Sequence, residues 1–242
     1  MIKICLLSHQ YYHRDTRLRR YVETLADAGV RVDVLSPKSP EEVNSKRRDD
    51  ISIFTIPIER GYSGRARYLL EYVLAFVLYT IWLSALYIRN RYQIIQVHNM
   101  PDILIFTALI PKILGAKLIL DIRDPMPELY MSRYKENETS KMQQLLRFQE
   151  RISCRLAHEV ITANTNFQEN LIARGIPENK ITVLSNAPDC KIFDRTKYGC
   201  RRKTSDDPFI LLYPGTIAPR YGLDVAIRAM PSLTKEIPEI RL

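Results

Sequence analysis

The sequence predicts an α/β protein built on a parallel sheet, followed by the opening of a second domain of the same class. Three observations predict it. Short apolar runs alternate with segments of helical period from Ile2 to Leu184. Gly or Pro closes several of the helical segments. Near the C-terminus the pattern restarts in Phe209-Ile-Leu-Leu-Tyr-Pro-Gly-Thr-Ile-Ala-Pro-Arg-Tyr-Gly-Leu-Asp-Val-Ala-Ile-Arg-Ala-Met230, an apolar run, a Gly turn, a basic residue and an amphipathic helix. Strands that alternate with helices in this way form a parallel sheet with right-handed crossovers.

Taken in order, Ile2 to Leu7 reads as a buried strand. Leu18, Tyr21, Val22, Leu25 and Ala28 recur at helical spacing, with Asp15 as N-cap and Gly29 as the stop. Val30 to Leu35 and Ile51 to Ile56 are the next strands, separated by a charged, Pro-containing loop. Strand, helix and strand follow at Ile94 to Val97, Pro101 to Leu114 and Lys117 to Leu120. Pro125 and Pro127 are expected to hold the chain as a loop. A helix over Met142 to Leu156, a strand over Glu159 to Thr162, a helix over Asn166 to Ala173 and a strand over Ile181 to Leu184 complete the first domain. Its expected bounds are 1–190, with a linker over 191–208 and the second domain's first βα unit over 209–242.

The segment Arg65 to Arg91 stands apart. No charged residue occurs between Tyr72 and Ile88, while Arg65, Arg67, Arg89 and Arg91 flank the run. A membrane span needs about 20 apolar residues, so the length is borderline. A crossing here would put strands of one sheet on opposite sides of a bilayer. A helix packed on the sheet by one side and facing lipid by the other fits both pattern and connectivity. A crossover helix without any membrane role fits the pattern as well.

Composition narrows the partners. The formal net charge of +9 over 242 residues points to anionic company, such as anionic lipid or phosphorylated small molecules. Nucleic acid is not expected, since no zinc-finger spacing, basic-region heptad or RNP-like motif occurs. Cys5, Cys154, Cys190 and Cys200 form no CxxC pair and no metal-like spacing with the four histidines. No metal site and no bound cofactor is expected, and the chain reads as reduced and cytoplasmic.

Ligands of open parallel sheets bind beyond the carboxyl ends of the strands. Polar clusters follow four predicted strands: Ser8-His9-Gln10-Tyr11-Tyr12-His13-Arg14-Asp15, His98-Asn-Met-Pro-Asp102, Asp121-Ile-Arg-Asp-Pro-Met-Pro-Glu128 and Ser185-Asn-Ala-Pro-Asp189. Their convergence on one sheet edge is the signal. His98 reads as a general base, a hydroxyl partner or a histidine satisfying a loop carbonyl. Asp124 bonds a hydroxyl or caps a turn. Arg123 pairs with a phosphate, or with Asp121 or Glu128. The first turn lacks GxGxxG, which argues against an NAD-dependent oxidoreductase.

These segments, together with Asp15-Thr-Arg-Leu-Arg-Arg20, Ile181-Thr-Val-Leu-Ser-Asn-Ala-Pro-Asp189 and Tyr213-Pro-Gly-Thr-Ile-Ala-Pro-Arg-Tyr-Gly-Leu-Asp224, occur in an order that resembles family 4 (group 1) glycosyltransferases of the GT-B fold. The resemblance implies two Rossmann-like domains across a cleft, an N-terminal acceptor domain and a C-terminal nucleotide-sugar domain. It implies a retaining transfer of sugar without a bound metal; a polysaccharide or lipid-linked acceptor at a membrane surface is expected, the lipid part resting on the Tyr72–Ile88 segment and the positive charge. By it, His98 and Asp124 are catalytic; His9, Asn99, Asp102, Asp121, Arg123 and Glu128 line the acceptor side; Asn186, Gly215, Thr216 and Arg220 approach the donor. Arg123 stands where the family often has His, and Thr216 and Tyr221 stand where it often has Arg and Lys. The nucleotide sugar is a substrate, and peripheral contact with an anionic membrane at its inner face is expected. Since the chain stops soon after the second domain opens, it is expected to be inactive alone. A non-catalytic acceptor subunit and a nucleotide-sugar epimerase are the alternatives.

Overall fold

The structure, a computed structural model, describes residues 1–39, 48–58, 65–134, 139–190, 192–198, 209–218 and 221–242. Contacts divide the chain into two units, Met1–Ala187 and Pro188–Leu242.

In the first unit seven parallel strands, β1 (Lys3–Leu7), β2 (Arg31–Pro37), β3 (Ile51–Ile56), β4 (Ile94–His98), β5 (Lys117–Ile122), β6 (Glu159–Thr162) and β7 (Ile181–Val183), lie in the order β3-β2-β1-β4-β5-β6-β7. The sheet grows outward from β1 to β3, then the chain returns through helix α2 (Arg65–Asn90) to place β4 on the other side of β1. This reversal leaves a crevice beyond the carboxyl ends of β1 and β4, where open α/β sheets take ligands. Each residue's side follows from the two-residue period of a strand. Ile4 and Leu6 pack with Leu18 and Val22 of α1 (Thr16–Asp27) and with Val32 and Val34. Cys5 and Leu7 join Tyr79, Leu83, Leu86 and Tyr87 of α2 in the larger core on the opposite face. With both faces covered, the central strands are mostly apolar, interrupted by the buried Asp33 of β2 and Gln96 of β4.

Local chemistry sets the ends of α1. Asp15 caps it, its Oδ1 accepting the Leu18 N–H at 2.9 Å, and Gly29 takes φ +79° just beyond it, a conformation costly for residues with a Cβ.

Two segments differ from the sequence expectation. Residues 101–114 were expected as one helix but form a 3-10 segment over Asp102–Ala108 and the short α3 (Leu109–Ile113). A three-residue repeat aligns Asp102, Ile105 and Ala108, all buried, on one side. Tertiary packing selects the tighter coil. The Pro125–Pro127 stretch, expected as a loop, leads into α4 (Met126–Tyr134), with the Leu129 N–H bonded to Pro125 O at 3.1 Å. Pro127 sits in the first turn, where a missing N–H costs nothing. Helices α5 (Lys141–Leu156) and α6 (Thr165–Ala173) complete this unit.

In the second unit, Ile210 bridges Arg241 in parallel; the Leu211 N–H donates to Arg241 O at 2.7 Å and the Arg241 N–H to Phe209 O at 2.8 Å. The turn α7 (Arg195–Tyr198) precedes this pair and α8 (Leu223–Glu236) connects its two segments. Helix α8 buries none of its residues; Val225 and Ile227 are exposed. Of the expected linker, residues 191 and 199–208 lie outside the described set.

Candidate functional site

The carboxyl ends of β1, β4 and β5 carry one connected polar network. Register makes His98 and Asp121 Cα partners at the ends of β4 and β5, so their side chains stand side by side. His98 Nδ1 lies 2.8 Å from Asp121 Oδ2, and both side chains are fully enclosed. Arg123 brings Nε to 3.4 Å from Asp121 Oδ2 and donates from Nη1 to Asp15 Oδ2 at 2.5 Å. Arg17 places Nη2 3.6 Å from Asp121 Oδ1 and donates to the Tyr21 hydroxyl and to Leu184 O, both at 3.1 Å. The Tyr21 ring lies 5.6 Å from that of His98.

Charge favours the tautomer protonated on Nδ1. Burial opposes ionisation of Asp121, but the hydrogen bond from His98 and the charges of Arg17 and Arg123 prevail and hold its carboxyl below the usual range. The proton between the pair therefore sits on His98 Nδ1. Burial pushes the imidazole pKa down, so at neutral pH the ring is neutral with its lone pair on Nε2, an atom with no hydrogen-bond partner among the described residues. The charge of Arg123 further disfavours a second proton, and its Nη2, 2.9 Å from Nδ1, finds an acceptor there only in the opposite tautomer.

Asn99 clamps the loop after β5. Its amide N donates to Asp124 O at 2.7 Å and its Oδ1 accepts the Arg123 N–H at 3.0 Å. Asn99→Ala is expected to lower stability by about 2 kcal/mol, since it leaves the Arg123 N–H unbonded. Urea unfolding midpoints measure this, and a wild-type midpoint would show the loop holds itself. Asp124 is exposed beside the clamp.

The other expected residues are placed elsewhere. Asp102 is wholly buried, and burial aided by the charge of Glu150 outweighs a hydrogen bond from Asn99 and pushes its pKa up to about 7. Glu128 pairs with Arg174, which also grips Glu150 at 2.8 and 2.9 Å. This acidic cluster lies where α4, α5, α6 and the 3-10 segment meet, and Asn99 joins Asp102 to the clamp on Arg123. Asn186 accepts from Arg20. His9 packs edge-on against Tyr79, whose hydroxyl donates to Ser8 O at 3.1 Å. In the second unit the Tyr213 ring lies so close over Gly215 that a Cβ there would sit 2.8 Å from it, and the Tyr213 hydroxyl donates to Thr216 O at 2.9 Å. Arg220 lies outside the described residues.

Sequence reasoning missed Asp15 as the second anchor of Arg123, placed Tyr21 only on the apolar face of the first helix, and missed Tyr79. The four-residue spacing of Arg17 and Tyr21 on one helix was the available signal.

Residues 15–187, most of the chain and all but the first strand of the seven-stranded sheet, match the glycosyl transferase 4-like domain family. The chain belongs to this family. Among solved structures, this glycosyl transferase 4-like protein is similar to sucrose-phosphate synthase from Thermosynechococcus elongatus (TM-score 0.67, 15% identity, 100% of this chain and 61% of that one). It also resembles Anabaena HepE in complex with UDP (TM-score 0.56, 14% identity, 95% and 57%). A third is the UDP-GlcNAc 2-epimerase of Methanocaldococcus jannaschii (TM-score 0.54, 10% identity, 99% and 64%). At such identities the likeness is one of fold: a Rossmann-like α/β sheet corresponding to the GT-B N-terminal region. This glycosyltransferase-family chain spans about six-tenths of those proteins. No curated protein sequence matches it.

Proposed function

We propose that this glycosyltransferase-family protein transfers a sugar, with retention, from a nucleotide sugar to a lipid-linked or polysaccharide acceptor at the cytoplasmic face of a membrane. In this reading the first unit is the acceptor wall and the second unit opens the donor domain. Asp124, exposed at the tip of the clamped loop, meets the acceptor hydroxyl. His98 offers its Nε2 lone pair to a substrate hydroxyl once substrate opens the crevice, and Asp121 and Arg123 fix the ring for that contact. The leaving diphosphate gains negative charge, which the Gly215–Thr216 amides and Arg220 stabilise. Anabaena HepE, which shares the fold, holds UDP in its structure, and this supports a nucleotide donor.

The observation that carries the membrane part is α2. Its 73–90 stretch is long and apolar enough to cross a membrane, yet only 28% of it is buried. Tyr79, Leu83 and Tyr87 face the core; Val77, Ile81 and Ile88 on the other side are exposed, Ile81 and Ile88 by about 60%. Strands of one sheet precede and follow the helix, which favours a helix lying on a bilayer over one passing through it.

The activity test uses the protein as its cell makes it, supplied with radiolabelled nucleotide sugars and a lipid extract of the same cells. Label entering lipid or polymer is expected with one donor. Interconversion of the nucleotide sugar without an acceptor would make it an epimerase. For membrane contact, Trp82 is the sequence's one tryptophan and lies 40% exposed on α2. Its emission is expected to shift to the blue on adding phosphatidylglycerol vesicles and not with phosphatidylcholine alone; no shift with either would remove the membrane from the account.

A further inference from the structure

A cavity of about 280 Å3 lies between α2 and the segment after β4, lined among others by His9, Val73, Phe76, Val77, Ile103 and Leu104. Apart from His9 every lining side chain is apolar, so water there finds few partners. A dry apolar cavity of about 150 Å3 takes benzene, and this one is nearly twice as large. His9 lies two residues past the end of β1, at the sheet edge that carries His98 and Asp121, and its Nδ1 lies 3.4 Å from the Tyr79 hydroxyl. Val73, Val77 and Ile103 are 54%, 46% and 40% exposed, so the mouth is itself apolar. From Val77 the exposed apolar line continues along α2 to Ile81 and Ile88, beside Ile110 and Ile113 of α3.

We infer that this cavity receives the first carbons of the hydrocarbon chain of a lipid-phosphate-linked sugar acceptor, with its phosphate and the sugar hydroxyl at the strand tips. The inference rests on the transferase reading and specifies its acceptor. An apolar pocket with an apolar mouth suits a chain that arrives from a bilayer, whereas a free sugar would need polar walls. One histidine at the sheet edge marks the end where the chain gives way to the head. The net charge of +9 and Arg14, in the loop after His9, complement a phosphate.

The probe is farnesyl phosphate, titrated calorimetrically below the concentration at which it forms micelles, with inorganic phosphate in a parallel arm. Saturable one-to-one binding is expected for farnesyl phosphate and none of comparable strength for phosphate. Val77→Trp and Ile103→Trp fill the mouth from opposite walls and should each weaken binding by about ten-fold or more, the cost of excluding roughly two methylenes. Ile88→Ser lies beyond the cavity and should leave this binding unchanged while weakening attachment to phosphatidylglycerol vesicles. Equal binding by wild type and both filled variants, or no binding by wild type, would overturn the inference. Should either filled variant fail to fold, a diazirine analogue of farnesyl phosphate decides on the wild-type protein: labelling within 73–77 or 103–104 supports the site, and labelling confined elsewhere overturns it. Failure of the transferase reading looks different, with no sugar transferred to any acceptor while farnesyl phosphate still binds. Transfer to a water-soluble glycan, undiminished in both filled variants, would refute the lipid site and leave the transferase intact.

Discussion

Arg123→Ala is expected to lower the unfolding free energy by roughly 3–5 kcal/mol, the cost of stripping a buried ion pair of one partner. Asp15 and Asp121 are both buried, and Arg123 reaches one at 2.5 Å and the other at 3.4 Å. Without it, among the described residues, Asp121 keeps His98 and the more distant Arg17, and Asp15 keeps its cap on α1. Arg123→Lys retains the charge but cannot fork between the two carboxylates, so it should recover part of the loss. Urea unfolding at neutral pH measures both variants, and Arg123→Ala within about 1 kcal/mol of wild type would show the network to be idle. The wild type carries a related pH signature. Asp121 has its carboxyl pKa depressed in the fold, so its stabilisation is present above about pH 4 and is lost as pH falls through the folded value. His98, also depressed, is a base: the unfolded chain takes its proton first, and stability declines as pH drops below about 6.5.

The second large effect is expected at Arg174. Arg174→Met leaves Glu128 and the buried Glu150 without their cation, beside a buried Asp102 that already holds its proton up to about pH 7. Burial pushes the Glu150 pKa up as well, even with Arg174 present. A carboxyl whose folded pKa lies above its unfolded value costs nothing while both states are protonated. Its full cost is reached above the folded value. The deficit of Arg174→Met should therefore be roughly 3–5 kcal/mol at pH 8 and clearly smaller at pH 5, where Asp102 and Glu150 take up protons. Asp102→Asn in the wild-type background should flatten the decline in stability between about pH 4 and 7. Urea midpoints across that range measure both. A deficit for Arg174→Met that does not change with pH would contradict the assignment.

What the sequence disclosed follows from where its signals are local. The strands announce themselves by apolar runs, and Asp15 and Gly29 mark the ends of α1 within a few residues. Polar residues just past strand ends were readable for the same reason, which is how His98, Asp121 and Arg123 came to be grouped. The sheet order then made neighbours of His98 and Asp121. The cluster of Asp102, Glu128, Glu150 and Arg174 was not legible, because its members come from four segments that meet only through tertiary packing. Asp102 and Glu128 looked like strand-tip residues; the 3-10 coil turns the first inward and α4 carries the second to Arg174. Helix α4 itself was hidden by Pro127, whose tolerance in a first turn depends on a boundary that the sequence left open. The cavity beside His9 was equally invisible, since an empty volume is a property of two facing surfaces.

The proposed sugar transfer to a membrane-borne acceptor is measured most directly by partition of label. The protein, obtained as its cell makes it, is incubated with each radiolabelled nucleotide sugar and native membrane lipid, then extracted with organic solvent. Label from one donor in the organic phase, dependent on both protein and lipid, is the result expected here. Label that stays in the aqueous phase with every donor, while the folded protein and lipid are both present, would contradict it.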